Sequence, residues 1–122
     1  MKKIKIELIV SSTREAEKFY CEDIEMFEFY QDYGMGNICL IYKSNPSVFL
    51  LLREGVTNII NTPLFSLEVD DCERIFQTLK KRLIHSNGVL LNDEVFEYPL
   101  GKKIALKDPS KNMFLLFEDY QG

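Results

Sequence analysis

The sequence predicts an α+β fold made of two βαβββ modules. Three observations support this prediction. Two segments with the apolar spacing of an amphipathic helix each follow a strand-like segment, three more strand-like segments follow each helix, and an irregular stretch separates the two sets. We expect module 1 at about residues 1–54, a linker at about 55–62 and module 2 at about 63–119. With 122 residues, 46% of them hydrophobic, the chain is long enough for a single domain with its own core.

Module 1 begins with a strand and a capped helix. Along residues 4–10, isoleucine, leucine and valine alternate with mostly charged residues, as in a strand with one packed face. Ser12 and Glu15 stand at the spacing of a capping box, so we expect the Ser12 hydroxyl to accept a hydrogen bond from the backbone amide of Glu15. The apolar stripe of the helix comprises Ala16, Phe19, Tyr20 and Ile24. We expect this helix to end within residues 23–26.

Three short strands follow the first helix. They are predicted at Phe27 to Tyr33, Asn37 to Lys43 and Ser47 to Arg53. Turn-forming residues, Gly34-Met35-Gly36 and Ser44-Asn45-Pro46, separate them. Module 1 is therefore predicted as βαβββ.

Module 2 repeats this order. A strand is predicted at Leu64 to Val69, and Asp70, Asp71 and Glu73 provide side chains suited to the start of a helix. The apolar stripe of that helix comprises Cys72, Ile75, Phe76, Leu79 and Leu83. Asn87-Gly88 then fits the turn that ends a helix, with the glycine in the left-handed conformation.

The last three strands of module 2 are predicted at Val89 to Asp93, Lys102 to Lys107 and Met113 to Phe117. Glu94 to Gly101 is a longer crossing segment with a possible short strand at Val95 to Glu97. Asp108 to Asn112 has dense turn chemistry, so the final two strands form a hairpin. The continuous apolar run of the last strand indicates that it is buried.

Composition excludes several classes of function. A formal net charge of -4 and a sequence pI near 5.0 argue against a nucleic-acid-binding surface, because that needs clustered Lys and Arg. No apolar run approaches the length of a membrane span, and Lys5 and Glu7 interrupt what would be a signal-peptide core. The three widely spaced cysteines fit reduced thiols. We therefore expect a cytoplasmic protein with no nucleic-acid and no membrane partner.

Three stretches, in this order and spacing, resemble the vicinal oxygen chelate superfamily of glyoxalases, bleomycin-resistance proteins and extradiol dioxygenases. They are Leu8 to Val10 followed by the capped helix with Phe19-Tyr20, then Phe65 to Asp71, and finally Gly101 to Glu118. The resemblance implies that the two modules form a curved mixed sheet around a cavity. It also implies a homodimer, because small members of the superfamily usually pair so that the cavities form between modules.

Many enzymes of this superfamily hold a divalent metal in the cavity with His, Gln or Glu side chains. The resemblance places the corresponding positions at Lys5, Leu64 and Leu115, and the matching strand of module 1, Val48 to Leu52, is entirely apolar. A protonated ammonium and aliphatic side chains are not metal ligands. The sole histidine, His85, follows the second helix in a polar turn and is expected to be a solvent-exposed residue. We therefore expect no metal, no cofactor and no catalytic residue.

The resemblance also suggests which side chains face the cavity. If the ligand positions mark the cavity side of each strand, alternation adds their neighbours on the same side. Aromatic residues on segments that line or rim the cavity are further candidates. The predicted ligand-binding residues are Lys5, Glu7, Tyr42, Phe49, Ser66, Glu68, Tyr98, Leu115 and Phe117. Glu94 to Gly101 is the expected flap over them, and Glu118 is expected to face the opposite side.

The sequence predicts a metal-free binding protein, similar to the bleomycin-resistance branch, that sequesters an aromatic or cationic small molecule in a dimer cavity. The alternative is a divergent metal-dependent lyase, isomerase or dioxygenase of the same superfamily. That enzyme would recruit metal through Glu7, Glu68 or Glu118, or use Lys5 as a base. A third hypothesis is an effector-sensing regulator, although no DNA-binding segment is visible in the sequence.

Overall fold

The computed structural model describes residues 2–58 and 61–120. The chain divides into two compact units: unit 1 contains the described residues up to 58, and unit 2 contains those from 61 onward. Each unit has the predicted βαβββ order, with a mixed sheet and one main helix. The predicted α+β fold is confirmed. No helix among the described residues is long and apolar enough to cross a membrane.

Unit 1 contains one four-stranded sheet. Its elements are β1 (Ile4–Val10), α1 (Thr13–Lys18), β2 (Phe27–Gly34), β3 (Asn37–Tyr42) and β4 (Val48–Glu54). The strand order is β1-β4-β3-β2. Strand β1 runs parallel to β4, whereas β2–β3 and β3–β4 are antiparallel. The two glycines of the β2–β3 turn, Gly34 and Gly36, both have positive φ, which explains their presence there.

The first helix begins as the sequence predicts. Ser12 is its N-cap and accepts a hydrogen bond from the amide of Glu15 at 3.2 Å. After six α-helical residues the chain forms a π-helical turn, Phe19–Asp23, and Glu25 has a φ of 55°. The helix therefore stops within the predicted range. Its packed side lies on β3 and β4 and buries Ala16 and Phe19.

Unit 2 repeats this arrangement with one interruption. Its elements are β5 (Ser66–Glu68), α2 (Cys72–Arg82), β6 (Val89–Leu90), β7 (Phe96–Tyr98), β8 (Gly101–Lys107) and β9 (Met113–Asp119). The order is β5-β9-β8-β6, and β7 also pairs with β8. Strands β6 and β7 lie along different stretches of β8 and together occupy the place that β2 has in unit 1.

The second helix has a charged N-cap. The Asp71 carboxylate accepts a hydrogen bond from the amide of Arg74 at 3.1 Å, as the sequence suggests. The end of the helix differs from the prediction. The helix finishes at Arg82, a 3₁₀ turn follows at Leu83–His85, and Gly88 is not in the left-handed region. Its backbone amide instead donates to the hydroxyl of Ser86 at 3.0 Å.

Each unit has its core between the helix and one face of the sheet. In unit 1 the buried residues from the sheet include Leu8, Val10, Leu40, Leu50 and Leu52. In unit 2 they include Leu67, Ile104, Leu106, Phe114 and Leu116. All of these alternate along their strands with less buried residues. We call the packed side of each sheet its helix face and the other side its helix-free face.

Candidate functional site

The helix-free face of unit 1 carries most of the polar side chains of its strands. On β1, Lys5, Glu7 and Ile9 are exposed, whereas Leu8 and Val10, which point to the helix face, are buried. This alternation follows from the period of two along a strand. The strand therefore presents an ammonium, a carboxylate and an apolar side chain on one line.

A lysine on this face lies over two aromatic rings. The Lys3 Nζ atom is 5.0 Å from the ring centroid of Phe49 and 5.7 Å from that of Tyr30. The two rings meet edge to face, with centroids 4.9 Å apart. Such distances are those of cation–π contacts. Lys5 is the register partner of Phe49 across β1 and β4.

The residues on the helix-free face of unit 2 follow from the registers of the β5–β9 and β8–β9 pairs. Ser66 is opposite Leu115, and Glu68 is opposite Phe117, in the parallel β5–β9 pair. Across the antiparallel hairpin, Lys103 is opposite Phe117. Ser66 and Glu68 are exposed, while Leu115 and Phe117 are half-buried. The face is thus apolar in its middle and polar at its margin.

A second lysine–aromatic cluster lies at the edge of this face. The Lys103 Nζ atom is 5.3 Å from the ring centroid of Phe96 and 5.2 Å from that of Tyr98. The two rings are nearly parallel, at 15° and 6.4 Å, because Phe96 and Tyr98 alternate on the same side of β7. Phe96 is 51% exposed. A flat ring surface and an ammonium are therefore open to a ligand at one place.

Eight of the nine predicted ligand-binding residues lie on helix-free faces. Those in unit 1 are Lys5, Glu7 and Phe49, and those in unit 2 are Ser66, Glu68, Tyr98, Leu115 and Phe117. The ninth, Tyr42, is on the helix face, is 5% exposed and packs its ring 5.2 Å from that of Phe27. The structure places Tyr42 in the core because it alternates with Ile41, the register partner of Phe49.

The prediction missed both lysines that contact the rings. The sequence could have indicated which side of β8 Lys103 lies on, since Lys103, Ala105 and Lys107 alternate along that strand with more buried residues. Placing Lys103 against Phe96 and Tyr98 requires the β7–β8 register, and those rings are close to β8 only because of that hairpin. Lys3 precedes β1 and gave no such signal.

Glu118, a metal ligand in the alternative hypothesis, has a structural role. Its carboxylate accepts a hydrogen bond from the backbone amide of Cys72, the first residue of α2, at 2.9 Å. The Glu54 carboxylate does the same in unit 1, accepting from the amide of Thr13 at 3.0 Å. A carboxylate at a helix N-terminus satisfies a free amide and interacts favourably with the helix dipole. Glu118 therefore lies on the helix face, as the sequence predicts.

The positions implied for a metal do not fit one. Lys5 offers an ammonium, and Leu64 and Leu115 offer no donor atom. Within residues 2–58 and 61–120, no three His, Cys, Asp or Glu side chains are grouped so that they could hold a metal ion. No metal-dependent step is derived from this chain.

The thiols are poor nucleophiles. Burial, with a smaller contribution from nearby carboxylates, raises the pKa of Cys21 and that of Cys72 to about 11. Burial also raises the pKa of the Cys39 thiol, although the positive charges of Lys5 and Lys3 oppose this shift. All three thiols are therefore protonated at neutral pH, and the thiolate is the reactive form. His85 is exposed at the end of the 3₁₀ turn.

A groove of about 740 Å³ runs along the segment between β6 and β7. It is lined by Glu73 and by residues 92–97, which include three more carboxylates. Glu97 alternates with Phe96 and Tyr98 along β7. Its carboxylate accepts a hydrogen bond from the hydroxyl of Tyr120. The groove is an acidic surface and contains none of the nine predicted residues.

No protein-family model matches the sequence, and no curated protein matches it. Several solved structures are similar to this chain. One is UcmS2, with a TM-score of 0.76 at 19% identity, covering 96% of this chain and 97% of that one. Another is TnmS3, described as an antibiotic binding protein from Streptomyces sp. CB03234, with a TM-score of 0.74 at 19% identity and coverages of 98% and 96%.

A third similar structure is a glyoxalase/bleomycin resistance protein, also from Streptomyces sp. CB03234. Its TM-score is 0.73 at 20% identity, covering 95% of this chain and 99% of that one. The chain therefore has the glyoxalase/bleomycin resistance fold, and the resemblance inferred from the sequence is confirmed at the level of the fold.

Proposed function

We propose that the protein binds a small planar organic molecule on the helix-free faces of its sheets and sequesters it without chemical change. The observation that carries this proposal is the nearly parallel Phe96–Tyr98 ring pair, on the same sheet face as the half-buried Leu115 and Phe117. Ring faces and aliphatic side chains bury flat ligands favourably, and nearby polar groups orient them. A metal is not part of the proposal, because the residues at the implied ligand positions lack donor atoms.

One structural neighbour is described as an antibiotic binding protein, which supports binding as the class of function. At 19% identity, the likeness does not identify a ligand for this chain. The proposal therefore rests on the chemistry of the face itself: rings, aliphatic surface and a few charges.

The proposal includes a homodimer. Unit 1 exposes several large apolar side chains: Ile4, Ile9, Phe29, Tyr33 and Met35. A partner that covered part of unit 1 would remove such side chains from water. Sedimentation equilibrium across a range of protein concentrations tests this part, and a monomer at all concentrations would contradict it.

Thermal denaturation of metal-stripped protein tests the binding proposal. A planar aromatic compound that binds only the folded state must raise the melting temperature by mass action. Phe96→Ala should abolish the rise, because it removes half of the exposed ring pair. Ile84→Ala is the control: Ile84 is 69% exposed, but it lies on the 3₁₀ turn after α2 and not on a strand.

The same experiment distinguishes the enzyme alternative. Strong stabilisation by Mn²⁺, Ni²⁺ or Zn²⁺, lost with Glu7→Gln or Glu68→Gln, would favour a metal-dependent lyase, isomerase or dioxygenase. Stabilisation by planar compounds in the absence of metal would favour sequestration. No stabilisation by any planar compound would contradict the proposal.

A further inference from the structure

We infer that the bound molecule is an aromatic anion, a flat ring system carrying a carboxylate or a similar acidic group. This inference rests on the proposed function and specifies the charge of its ligand. It comes from a feature that occurs twice: on each helix-free face a lysine ammonium lies over a pair of aromatic rings.

An ammonium group of the protein lies over one side of each ring pair. Lys103 lies 5.2–5.3 Å from both rings of its pair, and Lys3 lies 5.0–5.7 Å from both of its own. A cationic ligand that stacked on these rings would have to displace an ammonium or bear its repulsion. The twofold occurrence of the lysine therefore disfavours the cationic class that the sequence suggested.

The ammonium groups retain donors for an anion. A protonated lysine has three N–H donors, and a ring face satisfies them only weakly. Within the described parts of both units, neither Lys3 nor Lys103 has a carboxylate oxygen within 4.0 Å of its Nζ atom. At the Phe96–Tyr98 pair, where Phe96 is 51% exposed, a ligand carboxylate could accept from the Lys103 ammonium while its ring stacks on the exposed part of the pair.

The charges of each face point the same way. By strand register, the helix-free face of unit 1 carries Lys3, Lys5 and Arg53 against Glu7 and Glu28. That of unit 2 carries Lys103 and Lys107 against Glu68 and Asp119. The first face thus has one more basic than acidic side chain and the second has equal numbers, although the whole chain has a net charge of -4. Faces that lack the acidic excess of the chain repel anions less than the rest of its surface does.

Four carboxylates lie near the Phe96 ring. Those of Glu73, Asp93, Glu94 and Glu97 line the groove along residues 92–97, which Phe96 also lines. Glu97 accepts a hydrogen bond from Tyr120. None of the four has an oxygen within 4.0 Å of the Lys103 Nζ atom, so they do not form an ion pair with it.

Three probes of one shape and different charge test the inference: naphthoate, naphthamide and naphthylmethylammonium. Their dissociation constants are measured by isothermal titration calorimetry on the full chain at low salt. We expect naphthoate to bind about tenfold more tightly than naphthamide, because a hydrogen bond to a charged group adds to the same stacking. The cationic probe should bind most weakly.

Substitutions assign the preference to the cluster. Lys103→Gln, or Lys3→Gln if the unit 1 cluster is the one used, should make naphthoate bind no better than naphthamide. Lys103→Arg should keep the preference, because the positive charge remains. Lys81→Gln, an exposed lysine on α2, is the control and should change nothing. Thermal melts of each variant establish that it is folded.

The possible outcomes separate this inference from the proposed function. Equal affinity for naphthoate and naphthamide would overturn the anionic class while planar binding stands. A preference for naphthoate that survives Lys3→Gln, Lys103→Gln and their combination would also overturn it. If none of the three probes binds, both the inference and the proposed function fail.

Discussion

Units 1 and 2 share one way of holding a helix to a sheet, although few residues recur between them. In unit 1, Glu54 at the end of β4 accepts a hydrogen bond from the amide of Thr13, the first residue of α1. In unit 2, Glu118 on β9 accepts from the amide of Cys72, the first residue of α2. The repeated feature is a glutamate near the end of the last strand that accepts from the first amide of the helix. Because it depends on where the two elements lie, the two halves can share it with little sequence identity.

The units differ in their second strand. In unit 1 it is continuous, β2, with eight residues and two register shifts. In unit 2 it is divided into β6 and β7, with residues 91–95 between them. The ring pair of unit 2 consequently comes from a single strand, whereas Tyr30 and Phe49 of unit 1 come from β2 and β4. A contact between a lysine and two rings thus arises from two different backbones, with the rings at 72° in unit 1 and at 15° in unit 2.

Substitution of a glycine should show the largest difference in stability loss between the units. At Gly101, where β7 turns into β8, an added Cβ would lie 2.0 Å from the backbone oxygen of Glu118. Gly101→Ala must move β8 away from β9, and we expect a loss of about 4 kcal/mol in the free energy of unfolding. At Gly34 nothing lies within 4 Å, but φ is +84°, so Gly34→Ala should lose about 1 kcal/mol. Urea denaturation measures both, and similar losses would contradict this difference.

The turns before the last strand of each unit should also differ. Asp108 is 1% exposed and accepts bonds from the amides of Ser110 and Asn112 and from the Asn112 side chain, at 2.9–3.0 Å. Asp108→Ala leaves these donors without that acceptor, for a loss of about 3 kcal/mol. In unit 1 the equivalent turn uses exposed Asn45, bonded to Ser47, and Asn45→Ala should lose only about 0.5 kcal/mol. A loss at Asn45 as large as that at Asp108 would show that burial is not the cause.

The two helix-anchoring glutamates should behave alike. Glu54→Ala and Glu118→Ala are each expected to lower the free energy of unfolding by about 1 kcal/mol, since each removes an acceptor at a helix N-terminus. Glu54→Gln and Glu118→Gln keep an acceptor oxygen and should lose about half as much, and high salt should reduce the remaining difference. If only one of the two glutamates matters, the shared anchoring role is wrong for the other.

Local patterns were enough to predict most of the fold. The caps at Ser12 and Asp71 depend on residues within one helical turn, and the alternation along β1 and β9 depends on a fixed period. The predicted strand at Val89 to Asp93 was too long. Its register with β8 covers only Val89 and Leu90. The Leu91 amide still donates to the carbonyl of Ala105, but the amide of Ala105 donates to the Asn92 side chain instead of to the backbone.

The site was less predictable because it depends on pairing between strands. Tyr42 was predicted to bind the ligand because its segment lines or rims the cavity in the resembled fold. Its side of β3, however, is fixed by the register with β4. Lys103 and Phe96 were not chosen, since only the β7–β8 hairpin makes them neighbours. Residues whose side follows from alternation within one strand were placed by the sequence alone, and residues whose neighbours come from another strand were not.

The smallest predicted effect concerns the strand that differs between the units. In unit 2, β7 is joined to the end of β9 by a hydrogen bond from the Tyr120 hydroxyl to the Glu97 carboxylate. That bond, with smaller contributions from burial and nearby carboxylates, raises the pKa of Tyr120 from 10.0 to about 12. Because the folded-state pKa is above the unfolded one, the stabilisation is complete below pH 10 and is lost as the pH rises through about 12.

Absorbance titration of the phenolates measures this shift. The difference between the titration curves of the wild type and Tyr120→Phe isolates one of the six tyrosines, and its midpoint should lie near pH 12. Glu97→Gln should move that midpoint back toward 10, because the amide no longer opposes the phenolate charge. Loss of the Tyr120–Glu97 hydrogen bond should also loosen β7. The amides of Phe96 and Tyr98 should therefore exchange hydrogen faster in Glu97→Gln than in the wild type. A midpoint near 10 in the wild type would mean that this bond does not hold the divided strand to β9 in solution.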